Sequence, residues 1–294
     1  MNIKALKKTC CLGLMLMLTT NAFAGGSTWY RDCEVKLSSP SSAKGVVYVK
    51  PYYSWRKTAL QTGPAQTAHM KASLGTDAGY YYACYLFAYP KPGYALAGFV
   101  SKSDYQSGRT SSSYYLKNHQ GNTGKSGDYY DIVRADTLVD SKDSDPAAKS
   151  YYSFSARTTR EYYAVFKTEV SKTVNCTTAG SLGEATSNAN ATKADKLIIR
   201  GKIDKSDFEY LKFLVKNANL AKIDLTGASF WEVPDNAFTD CYSLYEIKLP
   251  VSGLQRIGAS AFKNCYSLKN FTYPSSAVVD PTAFYDCYTM KLNL

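Results

Sequence analysis

Histidine is almost missing from this chain: its 294 residues contain two, His69 and His119. Neither has a partner at metal-ligand spacing, so both read as polar surface groups. No H-E-x-x-H helix, no G-x-S-x-G elbow and no glycine-rich phosphate loop ending in lysine makes up for them. The acidic run Asp140, Asp143, Asp145 lacks the glycine and ligand spacing of a calcium loop and meets Pro146 at once, so it reads as a solvated loop. What remains for catalysis is a hydrolase built on two carboxylates distant in sequence, which leaves no local signature. The expectation is no enzyme, no metal and no cofactor.

Long apolar runs are equally scarce. One run, Leu12 to Leu18, follows Lys4, Lys7 and Lys8 and precedes Ala22-Phe23-Ala24. That is the layout of a secretory signal peptide, too short to span a bilayer. Cys10 and Cys11 precede the run and are badly placed for lipidation. Cleavage after residue 24 leaves a mature chain without a transmembrane segment, expected to be secreted or at the cell surface. Acidic residues are the minority charge, 24 against 35 basic ones, for a formal net charge of +11. No five lysines or arginines run together, however. A scattered surplus on an exported chain argues against nucleic acid and leaves solvated surface or an acidic glycan or mucin partner.

Cysteine pairs at zinc-ligand spacing are absent after the leader. Export permits disulfides, and Cys33 with Cys84 is the expected bridge. Cys241, Cys265 and Cys287 instead recur at one position of a repeat. Three cannot pair completely, so they read as a ladder of small buried hydrophobes.

What is present is a repeat. AFTDCYSL, AFKNCYSL and AFYDCYTM place Phe238, Phe262 and Phe284 24 and 22 residues apart. Leu220, Leu244 and Leu268 are each 24 residues apart, as are Ile223, Ile247 and Phe271. Units this short cannot bury a core alone and must stack. Ile247 and Leu249 flank Lys248 with the alternation of a strand, and Pro250 and Pro274 end two such strands. The AF phrase reads as a short helical turn on the opposite side. Phe238, Cys241, Leu244, Phe262, Cys265, Leu268, Phe284 and Cys287 are therefore the expected core. Lys222, Asp224, Glu246, Lys248, Asn270 and Thr272 are the expected outward strand positions and the candidate partner-binding face.

These phrases, with Leu254-Gln255-Arg256-Ile257-Gly258 and Pro274, resemble the BspA-type leucine-rich repeats of secreted or surface proteins from host-associated anaerobic bacteria. The resemblance implies a curved solenoid with its strands side by side, and adhesion or protein binding without catalysis. The last repeat departs from the pattern: Met290 replaces leucine and one residue is missing before Leu292, so its strand should fray. Residues 171–219 resemble the cap that precedes such repeats. Leu197 to Ile199 read as a strand, and Ser206-Asp207-Phe208-Glu209 as a capping box opening a helix with Phe208, Leu211 and Val215 on one face. A flexible linker over 177–193 is the alternative.

Residues 25–170 hold nineteen of the 26 tyrosines, many doubled. Short β-strands punctuated by turns are expected, each doublet burying one ring and exposing the other. Ala88-Tyr89-Pro90-Lys91-Pro92-Gly93-Tyr94 and Tyr163-Ala164-Val165-Phe166 are similar to segments of the divergent listerial B-repeats, which are β-grasp-like spacers and binding modules. Ser101 to Ala148 is expected to be a long mobile loop.

The fold class expected is mainly β with short helices. A signal peptide (1–24) precedes a tyrosine-rich β module (25–170) and a capped leucine-rich-repeat solenoid (171–294, with the cap at 171–219 and three repeats at 220–294). The expected function is non-catalytic adhesion to an extracellular or cell-surface protein, from host matrix or bacteria. The alternatives are carbohydrate binding through exposed tyrosines of the first module and an architectural role in the envelope.

Overall fold

The structure is a computed structural model and describes residues 32–51, 65–71, 81–118, 122–126, 128–134, 158–287 and 291–293. The expected signal peptide, His119 and the Asp140 to Asp145 run lie outside these residues, as do the side chains of His69 and Cys33 and hence the proposed bridge to Cys84.

The first part is built from two sheets. One comprises β1 (Asp32–Ser38), β3 (Ala65–Lys71), β5 (Tyr94–Ser101) and β7 (Thr158–Thr168) in the order β3-β1-β7-β5. The other is antiparallel, β2 (Gly45–Pro51), β4 (Tyr81–Pro90) and β6 (Asp128–Arg134) in the order β2-β4-β6. Val35, Leu37, Val47, Val49, Cys84, Leu86, Phe99 and Ala164 close a shared core between them. Strand β5, which begins at Tyr94 where the first B-repeat-like phrase ends, pairs antiparallel with the second phrase in β7, Leu96 opposite Phe166 and Phe99 opposite Ala164. The long loop expected from Ser101 is interrupted: a short helix α1 (Lys102–Gln106) follows β5, and β6 joins the second sheet. Tyr129, Tyr130, Ile132 and Val133 supply the β-propensity that the polar residues around them obscured.

The second part is a stack of parallel turns. β8 (Ser171–Cys176), β9 (Lys196–Lys202), β10 (Lys222–Ser229), β12 (Glu246–Lys248), β14 (Asn270–Thr272) and β16 (Lys291–Asn293) form a six-stranded parallel sheet, in the order β16-β14-β12-β10-β9-β8. β16 pairs with β14 along its length, so the missing residue does not fray it. A second parallel sheet was not anticipated. It consists of β11 (Glu232–Val233), β13 (Arg256–Ile257) and β15 (Val278–Val279). Strands of two residues carry no readable periodicity, which is why the sequence concealed them. Residues 177–193 are no linker: α2 (Leu182–Asn188) buries Leu182 and Thr186, and Ala191 and Ala194 join the same core.

The AF phrases form successive turns rather than helix. Asp240, Asn264 and Asp286, each just before the repeat cysteine, have φ of 61°, 61° and 58°. Asp and Asn tolerate this left-handed conformation better than other non-glycine residues, so the repeated D/N-C pair encodes the turn. Gly258 serves stacking instead. A Cβ there would stand 2.6 Å from the Asp235 backbone nitrogen of the preceding turn.

Candidate functional site

The stack holds its outward residues through rigid ladders. The rings of Phe238, Phe262 and Phe284 lie nearly parallel, with centroids 5.4 and 5.3 Å apart. The backbone amides of Phe238 and Phe262 donate to the carbonyls of Ala261 and Ala283 in the following turns. Cys241, Cys265 and Cys287 form no disulfide. The Cys265 and Cys287 thiols donate to the carbonyls of Phe238 and Phe262, at 3.2 and 3.0 Å. Burial pushes the Cys241 and Cys287 thiols up to about 12, and that of Cys265 upward as well. Leu244 and Leu268 are fully buried; Phe284 and Cys287 are partly buried.

Register then arranges the candidate face. Lys222, Glu246 and Asn270 are paired neighbours across β10, β12 and β14, and Asp224, Lys248 and Thr272 form the next row. Between the rows, Ile223, Ile247 and Phe271 point into the core. The alternation is as expected, but the exposure is not. Lys222 is only 6% exposed. Its Nζ donates to the Tyr94 carbonyl at 3.1 Å and pairs with the Glu169 carboxylate. The reason is that the first part of the chain packs over the entry side of the strands. Glu246 is half-buried, whereas Lys248 and Thr272 remain exposed. Asp224 turns back to accept from the Thr226 amide and hydroxyl, and Lys248 lies 3.6 Å from Glu246. The side chain of Asn270 lies outside the described residues. The open part of the face is thus Lys248 and Thr272, with Asp224 half-buried beside them.

The packing that covers Lys222 is a seam of aromatic rings. Tyr85, Phe87 and Tyr89 on the outer side of β4 are buried with Tyr266. Tyr85 meets Tyr266 edge-on at 5.5 Å, and Tyr89 meets Tyr245 at 5.9 Å. The Tyr245 hydroxyl donates to the Pro90 carbonyl, and Ser126 shares a hydrogen bond with Ser267 at 3.0 Å. Burial, with a smaller contribution from Glu246, pushes the Tyr245 phenol up to about 12. The Lys125 ammonium donates to the carbonyls of Val215, Lys216 and Ala218 at the end of helix α3 (Lys205–Asn217). There a positive charge opposes the negative end of the helix dipole. Lys167 pairs with the buried Asp195 at 2.9 Å.

The tyrosine doublet at the start of β4, Tyr81-Tyr82, has its side chains outside the described residues, so the doublet rule is not tested on this strand. Tyr85 and Tyr89 are not offered to solvent, because the repeats cover them. The signal was present in the sequence: from Cys84 to Tyr89 no residue is charged or small and polar. Such an uninterrupted apolar run marks a strand buried on both faces. In the doublet Tyr162-Tyr163 the first ring is buried and the second is half-buried, stacked on Tyr105 at 4.7 Å, so the alternation holds without full exposure.

Among the described residues, no three His, Cys, Asp or Glu side chains are grouped to hold a metal ion, and no helix is long and apolar enough to cross a membrane. Residues 202–291 match the sequence model of the BspA type leucine-rich repeat region, in six copies. The second part of the chain is thus similar to those repeats, a likeness that points to a protein-interaction or surface role. The match does not reach the first part, where the likeness to listerial B-repeats has no support from it. No curated protein matches the chain.

Proposed function

We propose that the protein is an exported, non-catalytic binding protein whose repeats form a capped leucine-rich-repeat solenoid. Residues 1–24 are its signal peptide, 25–170 a tyrosine-rich module and 171–294 the solenoid. Its partner is an extracellular or cell-surface protein, met at Asp224, Lys248 and Thr272. The observation that carries this reading is the in-register row these residues form on adjacent parallel strands, which leaves Lys248 and Thr272 exposed. Strands in a sheet repeat about every 4.8 Å, so the row is a rigid polar edge that needs little ordering to bind. The likeness of residues 202–291 to BspA-type repeats supports the same role.

Surface-plasmon binding of the full chain to a panel of matrix proteins and mucin tests it. A Lys248→Glu, Thr272→Arg variant should keep its circular dichroism and melting temperature and bind its protein partner about tenfold more weakly, a loss near 1.4 kcal/mol. Unchanged binding by that variant removes the face from the proposal. Carbohydrate binding by Tyr85 and Tyr89 is disfavoured, since the seam covers them.

A further inference from the structure

Where the two parts meet, beside the tyrosine seam, an open cleft of about 690 Å³ remains. Its size falls within the roughly 300–1,000 Å³ typical of small-ligand sites, which favour junctions of this kind. Asn118 and Asn122 from the segment before β6 line it, together with Asn217 and Asn219 at the end of α3 and Tyr242 and Tyr245 from the first repeat.

Charge decides what such a cleft can hold. The two ammonium groups deepest in its walls are already engaged, Lys125 by three helix-end carbonyls and Lys222 by Glu169 and the Tyr94 carbonyl. Lys216 and Asp240 are 3.9 Å apart and more than a third exposed. Among the described residues that line the space, Lys125, Lys216 and Lys222 are offset in part by Asp195 and Asp240. The exposed polar groups are the side-chain amides of Asn122, Asn217 and Asn219, of which Asn217 already donates one N–H to the Phe213 carbonyl at 3.0 Å. Each amide offers a donor and an acceptor side by side, which complements a neighbouring pair of hydroxyls. Tyr242 adds an apolar plane. One face of its ring stacks on Tyr266 at 4.9 Å and 11°, and the residue remains 36% exposed. Anchoring by Lys125, Ser126 and the Tyr245 hydroxyl fixes both walls before any ligand arrives, which lowers the cost of binding.

From this arrangement we infer that the cleft binds a short, uncharged oligosaccharide, with one sugar face on Tyr242 and its hydroxyls on the asparagine amides. This site is separate from the strand face proposed for protein binding, and it exists only when both parts of the chain are present.

The test is to titrate the full chain by calorimetry with cellotriose, maltotriose, chitotriose and N-acetyllactosamine. At least one should bind, and Asn217→Ala with Asn219→Ala should weaken it by about tenfold without changing the melting temperature, because both residues are exposed. Tyr242→Ala should do the same, and the asparagine pair decides the matter if that variant fails to fold. Lys248→Glu should leave sugar binding intact, which separates this site from the strand face. Binding to none of the four sugars, or equal binding by the asparagine variant, overturns the inference.

Discussion

Lys222 shows how one side chain changes role when a neighbouring part of the chain lands on it. By strand alternation it belongs to the outward row, yet it and Glu169 keep only 8% and 10% of their side-chain surface. Removing one partner of a buried pair leaves the other charge without compensation. Lys222→Ala should therefore cost about 3–5 kcal/mol, whereas Lys222→Met with Glu169→Leu should be close to neutral. Urea unfolding of the three proteins measures both values, and a mild single-variant loss would mean that water reaches the pair. The repeat cysteines give a second residue-scale expectation. A thiol reacts as its thiolate, and burial holds Cys241 and Cys287 near 12 while raising Cys265 too. At pH 8 the native chain should resist iodoacetamide at all three, and mass spectrometry after denaturation should find them fully labelled.

At the scale of elements, caps and turns do the organising. The expected capping box lies two residues early in the structure. Asp204 is the N-cap of α3 and its carboxylate accepts from the amides of Ser206 and Asp207, while the Asp207 carboxylate accepts from the Asp204 amide. Asp207 is 1% exposed and also accepts from the amides of Gly180 and Leu182, so one carboxylate fixes two helices. Asp207→Ala should strand the buried Leu182 amide and free the part-buried amides of Gly180 and Asp204, at a cost of about 1–3 kcal/mol, read as a fall in melting temperature. The carboxyls of Asp204, Asp235 and Asp280 are held below their usual range, chiefly by the Ser206 hydroxyl, the Ala259 amide and the Thr282 hydroxyl. A lowered folded pKa gives stability that is complete above the unfolded value of about 4 and is lost as pH falls through the folded one. Acid titration by circular dichroism should show that loss below about pH 4, with a shallower slope in Asp235→Asn. Periodicity made the long ladders legible in the sequence: Phe238, Phe262, Leu244, Leu268, Ile247 and Phe271 are buried at the expected interval. It could not reveal β11, β13 and β15, nor which outward residues another part of the chain would cover. The strands are too short to show a period, and the covering depends on contacts more than a hundred residues apart, such as that between Tyr94 and Lys222.

For the whole molecule, the decisive feature is that its two large cores are not independent. One lies between the sheets of the first part and the other runs through the repeats, and the cluster of Tyr85, Phe87, Tyr89 and Tyr266 joins them. Buried aromatic rings are costly to remove, about 3–5 kcal/mol when cut to alanine in a core. The seam adds hydrogen bonds from Tyr245 to Pro90 and between Ser126 and Ser267. Separating the parts would expose all of these groups at once, so the free energy that couples them rivals the few kcal/mol by which ordinary domains are stable. The full chain should then unfold in a single calorimetric transition. Tyr89→Ala with Tyr266→Ala cuts the seam while leaving the Phe238, Phe262 and Phe284 ladder intact, and it should split that transition into two. Two transitions in the unmodified chain would show instead that the seam is too weak to couple the cores. In that case Lys222 would be uncovered part of the time, and the first row of the strand face would be open to a partner after all.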